Sequence, residues 1–196
     1  MLKQLVVDSS VAIKWVLPQP NSPQALDILE QHQTGKLRLL APDLIYAEIG
    51  NIVWKLSHFG RLSQDDGLKA LQLFQSIKLG ITPSQALLET AYQFALTYKR
   101  TVYDSLYVVL SQRSKCSLVT DDNKLVNALN LAPISLITLE DWFWAVFYRF
   151  LSSNLNFMSG QRSFNTPYQI RLILRIKPGI TSLQSIASGE SSTTTS

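Results

Sequence analysis

The chain has 196 residues, 46% of them hydrophobic and 16% charged, an ordinary globular composition that argues against a disordered chain or a coiled coil. A single cysteine, Cys116, excludes a disulfide framework and a cysteine-rich zinc module, and the two histidines, His32 and His58, stand in no paired spacing, which argues against histidine-based metal chemistry. The net charge of +4 invites a nucleic-acid reading, but residues 143–196 carry Arg149, Arg162, Arg171, Arg175 and Lys177 against Glu190 alone, so residues 1–142 are electrically balanced. Bulk charge is therefore weak support for nucleic acid. Met1 to Val7 is too short for a signal peptide, and the apolar run Trp142 to Leu151 is broken by Arg149, well short of the ~20 residues a membrane span needs. A cytoplasmic protein with no membrane contact is expected.

Leu5-Val6-Val7, ending in Asp8, is a continuous apolar run that suits a strand buried on both faces. Ser9-Ser10 can cap a short helix through Val11 to Trp15, and Ser22 starts a second helix closing near Gly35. Leu37 to Leu40 predicts a strand. Pro42 and Asp43 open a long helix with Ile45, Ile49, Ile52, Val53 and Leu56 at helical spacing, ending at Gly60. Another helix starts at Ser63, with Asp65 and Asp66 favourably placed in its first turn. Lys78 to Ile81 predicts a short strand, and Pro83-Ser84 leads into a helix carrying Leu87, Leu88, Ala91, Phe94 and Ala95. Thr101 to Ser111 reads as a mostly buried helix, Leu118 to Thr120 as a strand, Asn123 to Leu129 as a helix and Ser135 to Thr138 as a last strand. Strands alternating with helices imply βα units, a parallel sheet and helices on both faces. In such sheets the site lies beyond the carboxyl ends of strands, where strand order switches. Asp8 and the pair Asp121-Asp122 both follow strands.

The character changes after about residue 152. Ten Ser and five Thr fall in residues 152–196, and this extension, counted from residue 143, is expected to be poorly ordered there. Within it, Gln169 to Lys177 alternates apolar and largely basic residues, which predicts either a strand or a loosely attached extension. Trp142, Phe143, Trp144, Phe147, Tyr148 and Phe150 are too dense for a solvated surface and read as core or interface.

Chemistry concentrates on a few acids. Asp8 terminates a strand; Glu48 sits at the edge of its helix's apolar stripe, one turn from Ile45 and Ile52; Asp104 is the only charged residue between Arg100 and Arg113; Asp121 and Asp122 follow Leu118-Val119-Thr120. Each alone has a plainer reading: Asp8 and Asp121 or Asp122 as helix caps, Glu48 as a solvated charge, Asp104 as a first-turn acid. Gathered at one sheet edge, they would repel and their pKa values would rise. A hard divalent cation resolves that repulsion, and oxygen-only ligation suits Mg²⁺ or Mn²⁺ over Zn²⁺. Carboxylate-held Mg²⁺ is a device for phosphodiester chemistry. Lys14, Lys99, Arg100, Arg113, Lys115 and Lys124 read as surface charges. Neither a Gly-x-Gly-x-x-Gly nor a Gly-x-x-x-x-Gly-Lys motif occurs, and Ser9 and Ser10 have no nearby histidine for nucleophilic catalysis.

The succession Val6-Val7-Asp8-Ser9-Ser10, Pro42 … Tyr46-Ala47-Glu48 … Asn51, Tyr103-Asp104-Ser105-Leu106-Tyr107 and Leu118-Val119-Thr120-Asp121-Asp122 resembles the PIN-domain ribonucleases. It is most similar to the VapC-type toxins of toxin–antitoxin pairs, over about residues 2–142. The resemblance implies a three-layer α/β/α PIN-like domain with a central parallel sheet, and an acidic Mg²⁺ site (Mn²⁺ being the alternative). Asp8 and Asp104 would be the principal metal ligands, and Glu48 would complete the pocket. The fourth acid closes a Thr-x-Asp pattern, which maps to Thr120 and Asp122; Asp121 in the middle position leaves the choice between the two open. Ser9 and Thr120 would support the site by hydrogen bonds. The implied activity is endoribonuclease cleavage of RNA by activated water, with a second copy of the chain and a VapB-like antitoxin as partners. Two other readings stay open: a catalytically weak scaffold that binds RNA or a protein, and a metal-dependent DNA nuclease or phosphohydrolase on the same acids.

Overall fold

A computed structural model describes residues 3–130 and 132–146 of the chain. The apolar runs become five strands: β1 (Lys3–Val7), β2 (Leu37–Pro42), β3 (Gly80–Thr82), β4 (Ser117–Thr120) and β5 (Leu136–Thr138). They form one sheet in the order β3-β2-β1-β4-β5, every neighbouring pair parallel. Leu5, Val6, Val7, Leu39, Ala41, Leu118 and Val119 are all buried, so consecutive residues of the central strands point into core on both faces, as helices on both sides require.

The helices are α1 (Ser9–Ala12, continued by a 3₁₀ turn Ile13–Trp15), α2 (Ser22–Gln33), α3 (Leu44–His58), α4 (Gln64–Ser76), α5 (Leu88–Tyr98), α6 (Val102–Arg113) and α7 (Asn123–Ala128). Residues 139–146 are also helical. Local chemistry fixes several starts. Ser63 accepts the Asp66 amide at the head of α4, and Thr101 accepts the Asp104 amide at the head of α6 (both 3.1 Å). Helix α6 packs across β1, β2 and β4, and every residue from Ser105 to Ser111 is buried. Its polar members are satisfied locally: Ser105 Oγ donates to the Thr101 carbonyl and Ser111 Oγ to that of Val108, each at 2.8 Å.

The three-layer expectation holds, with boundary differences that have physical causes. Helix α1 begins at Ser9 instead of Val11 because Asp8 caps it, accepting the Ser10 amide. Strand β3 begins two residues after the predicted Lys78, whose carbonyl is taken by His32 Nε2 (3.0 Å) and not by the sheet. Gly80, which opens β3, pairs with Leu40 so closely that a Cβ there would lie 2.7 Å from Leu40 Cδ2. Trp142 is buried, as expected of that aromatic run, and its indole donates to Asp27 Oδ2 (2.7 Å). The rest of that run from residue 147 on, the alternating segment 169–177 and the Ser/Thr-rich end lie outside the described residues. Among the described residues no helix is long and apolar enough to cross a membrane.

The topology sets the place of the site. From β1 the chain winds outward through β2 to β3, then crosses back to β4 and β5. Strand order therefore reverses between β1 and β4, and their carboxyl ends open the crevice in which such sheets bind ligands.

Candidate active site

The register of β1 on β4 pairs Val6 with Leu118 and Val7 with Val119, and the ladder continues with the Asp8 amide donating to the Val119 carbonyl (3.1 Å). Asp8 and Thr120 thus leave the sheet side by side. Thr120 Oγ1 donates to Asp8 Oδ2 at 2.5 Å, and Thr120 in turn accepts the Asp122 amide at 3.1 Å. Ser9 Oγ donates to Asp8 Oδ1 and Ser10 Oγ to Oδ2, both at 3.2 Å. Ser10 Oγ also accepts the Asp121 amide at 2.9 Å, tying the β1 exit to the β4 exit. Asp8 is buried, and burial pushes its carboxyl above the usual range against the pull of these four donors. The capping role and the strand-end acid role fall on the same residue.

Glu48 reaches the crevice from α3 and Asp104 from the first turn of α6. Glu48 Oε2 accepts a short hydrogen bond from the Tyr107 hydroxyl. Burial raises the Glu48 carboxyl and the charges of Asp8 and Asp104 raise it further, while the hydroxyls of Tyr107 and Ser9 pull it down. The phenol of Tyr107 is pushed up by burial and by the neighbouring Glu48 charge, so it stays a donor. Tyr107→Phe should remove that donor, leave Glu48 still harder to ionise, and cost about 1 kcal/mol of stability, which urea melts measure.

Two of the expected surface charges are part of this region instead. Arg100, in the turn between α5 and α6, places its Nη2 2.8 Å from Asp104 Oδ2 in the first turn of α6. Lys14 is buried at 6% exposure, with Nζ 3.1 Å from Asp121 Oδ2, while Asn21 donates to Asp121 Oδ1 at 3.0 Å. Asp122 caps α7, accepting the Lys124 amide at 2.8 Å. Asp121 is therefore committed to an ion pair and Asp122 to a cap, both on the loop adjoining Asp8.

The structure brings Asp8, Glu48 and Asp104 into one electrostatic neighbourhood, and the donor set is oxygen only. None of the three ion pairs among the described residues reaches Asp8 or Glu48. Two raised carboxyls without a basic partner fit a hard divalent cation. The convergence is incomplete as it stands: among the described residues no three metal-ligating side chains close on one point, and Asp104 is turned to Arg100. A cleft of about 530 Å³ lined by Ser111, Cys116 and Pro133 lies at the amino ends of β4 and β5, away from these acids.

Of the residues in this crevice, Ser10, Tyr107, Lys14 and Arg100 were not picked out as functional from the sequence. Tyr107 shares a helix face with Asp104 at spacing three but is embedded in an apolar run that reads as core.

An open parallel sheet with carboxylates beyond the strand ends at its switch point defines an α/β domain with an acidic crevice. The sequence pattern of the PIN domain matches residues 5–128. The chain is 32% identical over 124 residues to "Ribonuclease VapC3" of Pyrobaculum aerophilum, covering 62% of this chain and 92% of that protein. It is 31% identical over 121 residues to "Ribonuclease VapC9" of Mycobacterium tuberculosis, covering 62% and 87%. The crystal structure of PAE2754 from Pyrobaculum aerophilum matches with a TM-score of 0.56 at 21% identity, over 78% of this chain and 99% of that one. That of VapBC2 from Rickettsia felis bound to a promoter DNA fragment matches at 0.51 and 17%, over 69% and 98%. The last two show the fold alone. The chain belongs to the PIN-domain family, in its VapC-type branch.

Proposed function

We propose that this chain is a divalent-metal-dependent endoribonuclease, the toxin of a toxin–antitoxin pair, with residues 1–142 as its nuclease unit. The observation that carries the reading is Asp8, buried at the switch point of the sheet and held by Thr120, Ser9 and Ser10, in a chain whose residues 5–128 match the PIN domain. Asp8, Glu48 and Asp104 would hold Mg²⁺ or Mn²⁺, which when bound supplies water activation and charge neutralisation for in-line attack on a phosphodiester, leaving a 5′-phosphate and a 3′-hydroxyl. Thr120, Ser9 and Ser10 fix the Asp8 carboxylate by donating to it, and Tyr107 fixes Glu48. Asp122, through its amide on Thr120, supports that arrangement, and Asp121 anchors the same loop. RNA as substrate is supported by the ribonuclease names of the relatives.

Protein partners are supported by two apolar surfaces. Leu88, Tyr92 and Leu96 are exposed at a spacing of four along α5, and Trp54, Phe59, Leu68 and Leu73 are exposed on or beside α3 and α4. Such faces on a small domain mark protein contacts, here with a second copy and with a VapB-like antitoxin, as the naming of the VapBC2 pair suggests.

The test is incubation of the full chain with single-stranded RNA, single-stranded DNA and a chromogenic phosphomonoester, in Mg²⁺, Mn²⁺ or EDTA. The expected result is RNA cut only with metal, with 5′-phosphate ends. Cutting of DNA or the monoester in place of RNA would replace the substrate class. RNA bound but uncut in every metal, with binding unchanged by Asp8→Asn, would establish a scaffold.

A further inference from the structure

Lys14 and Asn21 each forgo a more favourable local arrangement to reach the same carboxylate. Lys14 is buried in the 3₁₀ turn after α1, where a lysine needs a counter-charge; its Nζ lies 3.1 Å from Asp121 Oδ2. Asn21 stands at the N-cap of α2, a position from which an asparagine side chain ordinarily caps its helix. It makes no such bond, and its backbone lies in the left-handed region at φ 64° and ψ 13°, which costs energy for a residue with a side chain. Its amide group donates instead to Asp121 Oδ1 at 3.0 Å. Both carboxylate oxygens of Asp121 are therefore gripped from the segment that leads from α1 to α2.

The grip sets the two-residue link between β4 and α7, which is Asp121 and Asp122. Their consecutive backbone amides donate to two hydroxyls, Asp121 N to Ser10 Oγ at 2.9 Å and Asp122 N to Thr120 Oγ1 at 3.1 Å. A hydroxyl has one hydrogen and two lone pairs, so each amide occupies a lone pair and leaves the hydrogen for another acceptor. That acceptor is Asp8 Oδ2, 3.2 Å from Ser10 Oγ and 2.5 Å from Thr120 Oγ1. The two hydroxyl oxygens are 3.3 Å apart. If the link shifted, they could turn to each other or to water, and Asp8 would lose donors that none of the described ion pairs replaces.

We propose that Lys14 and Asn21 are positioning residues for Asp8: they hold Asp121, which sets the amides of residues 121 and 122 on Ser10 and Thr120 and so aims both hydroxyls at the Asp8 carboxylate. The bearing of this relay on cleavage rests on the ribonuclease reading above; the relay itself does not. A plain structural ion pair could be exchanged for an apolar pair with no consequence at Asp8. A positioning pair could not.

The test compares the full chain with Asn21→Gly and with the double variant Lys14→Met, Asp121→Leu. Glycine accepts the left-handed backbone and removes only the side-chain donor. The double variant strands no charge, and replacing a buried ion pair by an apolar pair is often neutral for stability. Amide hydrogen exchange followed by NMR gives the protection of residues 121 and 122. The Leu118 amide, which donates to the Ser135 carbonyl at 2.9 Å within the sheet, reports the unfolding of the domain. Protection at 121 and 122 is expected to fall about 10-fold in the double variant and about threefold in Asn21→Gly, while Leu118 keeps its wild-type value. On a labelled single-stranded RNA, the double variant should lose about 10-fold in kcat with KM unchanged. Protection at 121 and 122 that follows Leu118 in both variants would overturn the relay, and Asn21→Gly decides the question alone if the double variant does not fold. Lost protection with kcat within about threefold of wild type would overturn the bearing on cleavage. A wild type that cuts no RNA sinks the ribonuclease reading instead, while the exchange rates still decide what Lys14 and Asn21 hold.

Discussion

Asp8→Asn should give a protein that folds more stably than the wild type and lacks the proposed ribonuclease activity. The activity loss is expected on the order of 10³-fold, because the substitution removes a charge from the centre of a set that positions the reacting groups. The stability gain has a separate origin. Asp8 is 7% exposed and accepts four hydrogen bonds but faces no cation, so the ionised carboxylate is buried at a net cost. Asparagine keeps an oxygen for the Ser10 amide that starts α1, and the hydroxyls of Ser9, Ser10 and Thr120 can rotate to suit an amide. A gain of about 1 kcal/mol is expected in metal-free buffer.

The pH dependence carries the same sign. The folded-state pKa of Asp8 lies above its ordinary value of 3.8, so between the two the native protein holds a proton that the unfolded chain has released. Stability contributed by that proton is present below pH 3.8 and is lost as pH rises through the raised pKa. Glu48, also raised, acts in the same direction. Urea melts of wild type and Asp8→Asn from acid to neutral pH should show the variant losing less stability on the way up. Equal losses in the two proteins would remove Asp8 as a source of the slope, and a variant less stable at neutral pH would contradict the burial argument.

Breaking the Lys14–Asp121 pair should have the largest stability effect of any surface-distant substitution around the crevice. Lys14 is 6% exposed and Asp121 22%, with 3.1 Å between their charged atoms. Removing one partner strands the other, and Lys14→Met or Asp121→Asn alone should each cost about 2 kcal/mol, below the usual range for a fully buried pair because Asp121 keeps some water. The double variant should be more stable than the sum of the two losses implies, with a coupling of about 1–2 kcal/mol. Equilibrium urea unfolding of the four proteins measures it. Coupling below about 0.5 kcal/mol would mean that the pair is held by its surroundings and contributes little itself.

These two sites mark what could and could not be read from the sequence. The strands were legible because Leu5-Val6-Val7 is an uninterrupted apolar run and Leu118-Val119-Thr120 a short run ending in two β-branched residues, and each is followed by an acid at the place where a switch-point site lies. Asp104 stood out as the one charge between Arg100 and Arg113 in an apolar helix, whereas Glu48 alone reads as a solvated charge and entered the candidate site through the family resemblance. The pairings were not legible, since they join distant segments. Nothing near Lys14 in sequence announces Asp121, and Tyr107 looks like core because it is buried among core residues. The rivalry between Asp121 and Asp122 is likewise a three-dimensional matter: one faces Lys14 and Asn21, the other turns along α7.

The hydrogen bond from Thr120 to Asp8 joins residues 112 positions apart, and α3 and α6, which carry Glu48, Asp104 and Tyr107, lie between them in the chain. A chain still being synthesised has β1, α3 and eventually α6 in hand before β4 has left the ribosome, but until then Asp8 has neither its neighbouring strand nor its Thr120 donor. Contacts this distant close late in folding. Until β4 is made the crevice lacks the strand that flanks Asp8, so the order of the strands withholds the completed site until most of the fold has been synthesised.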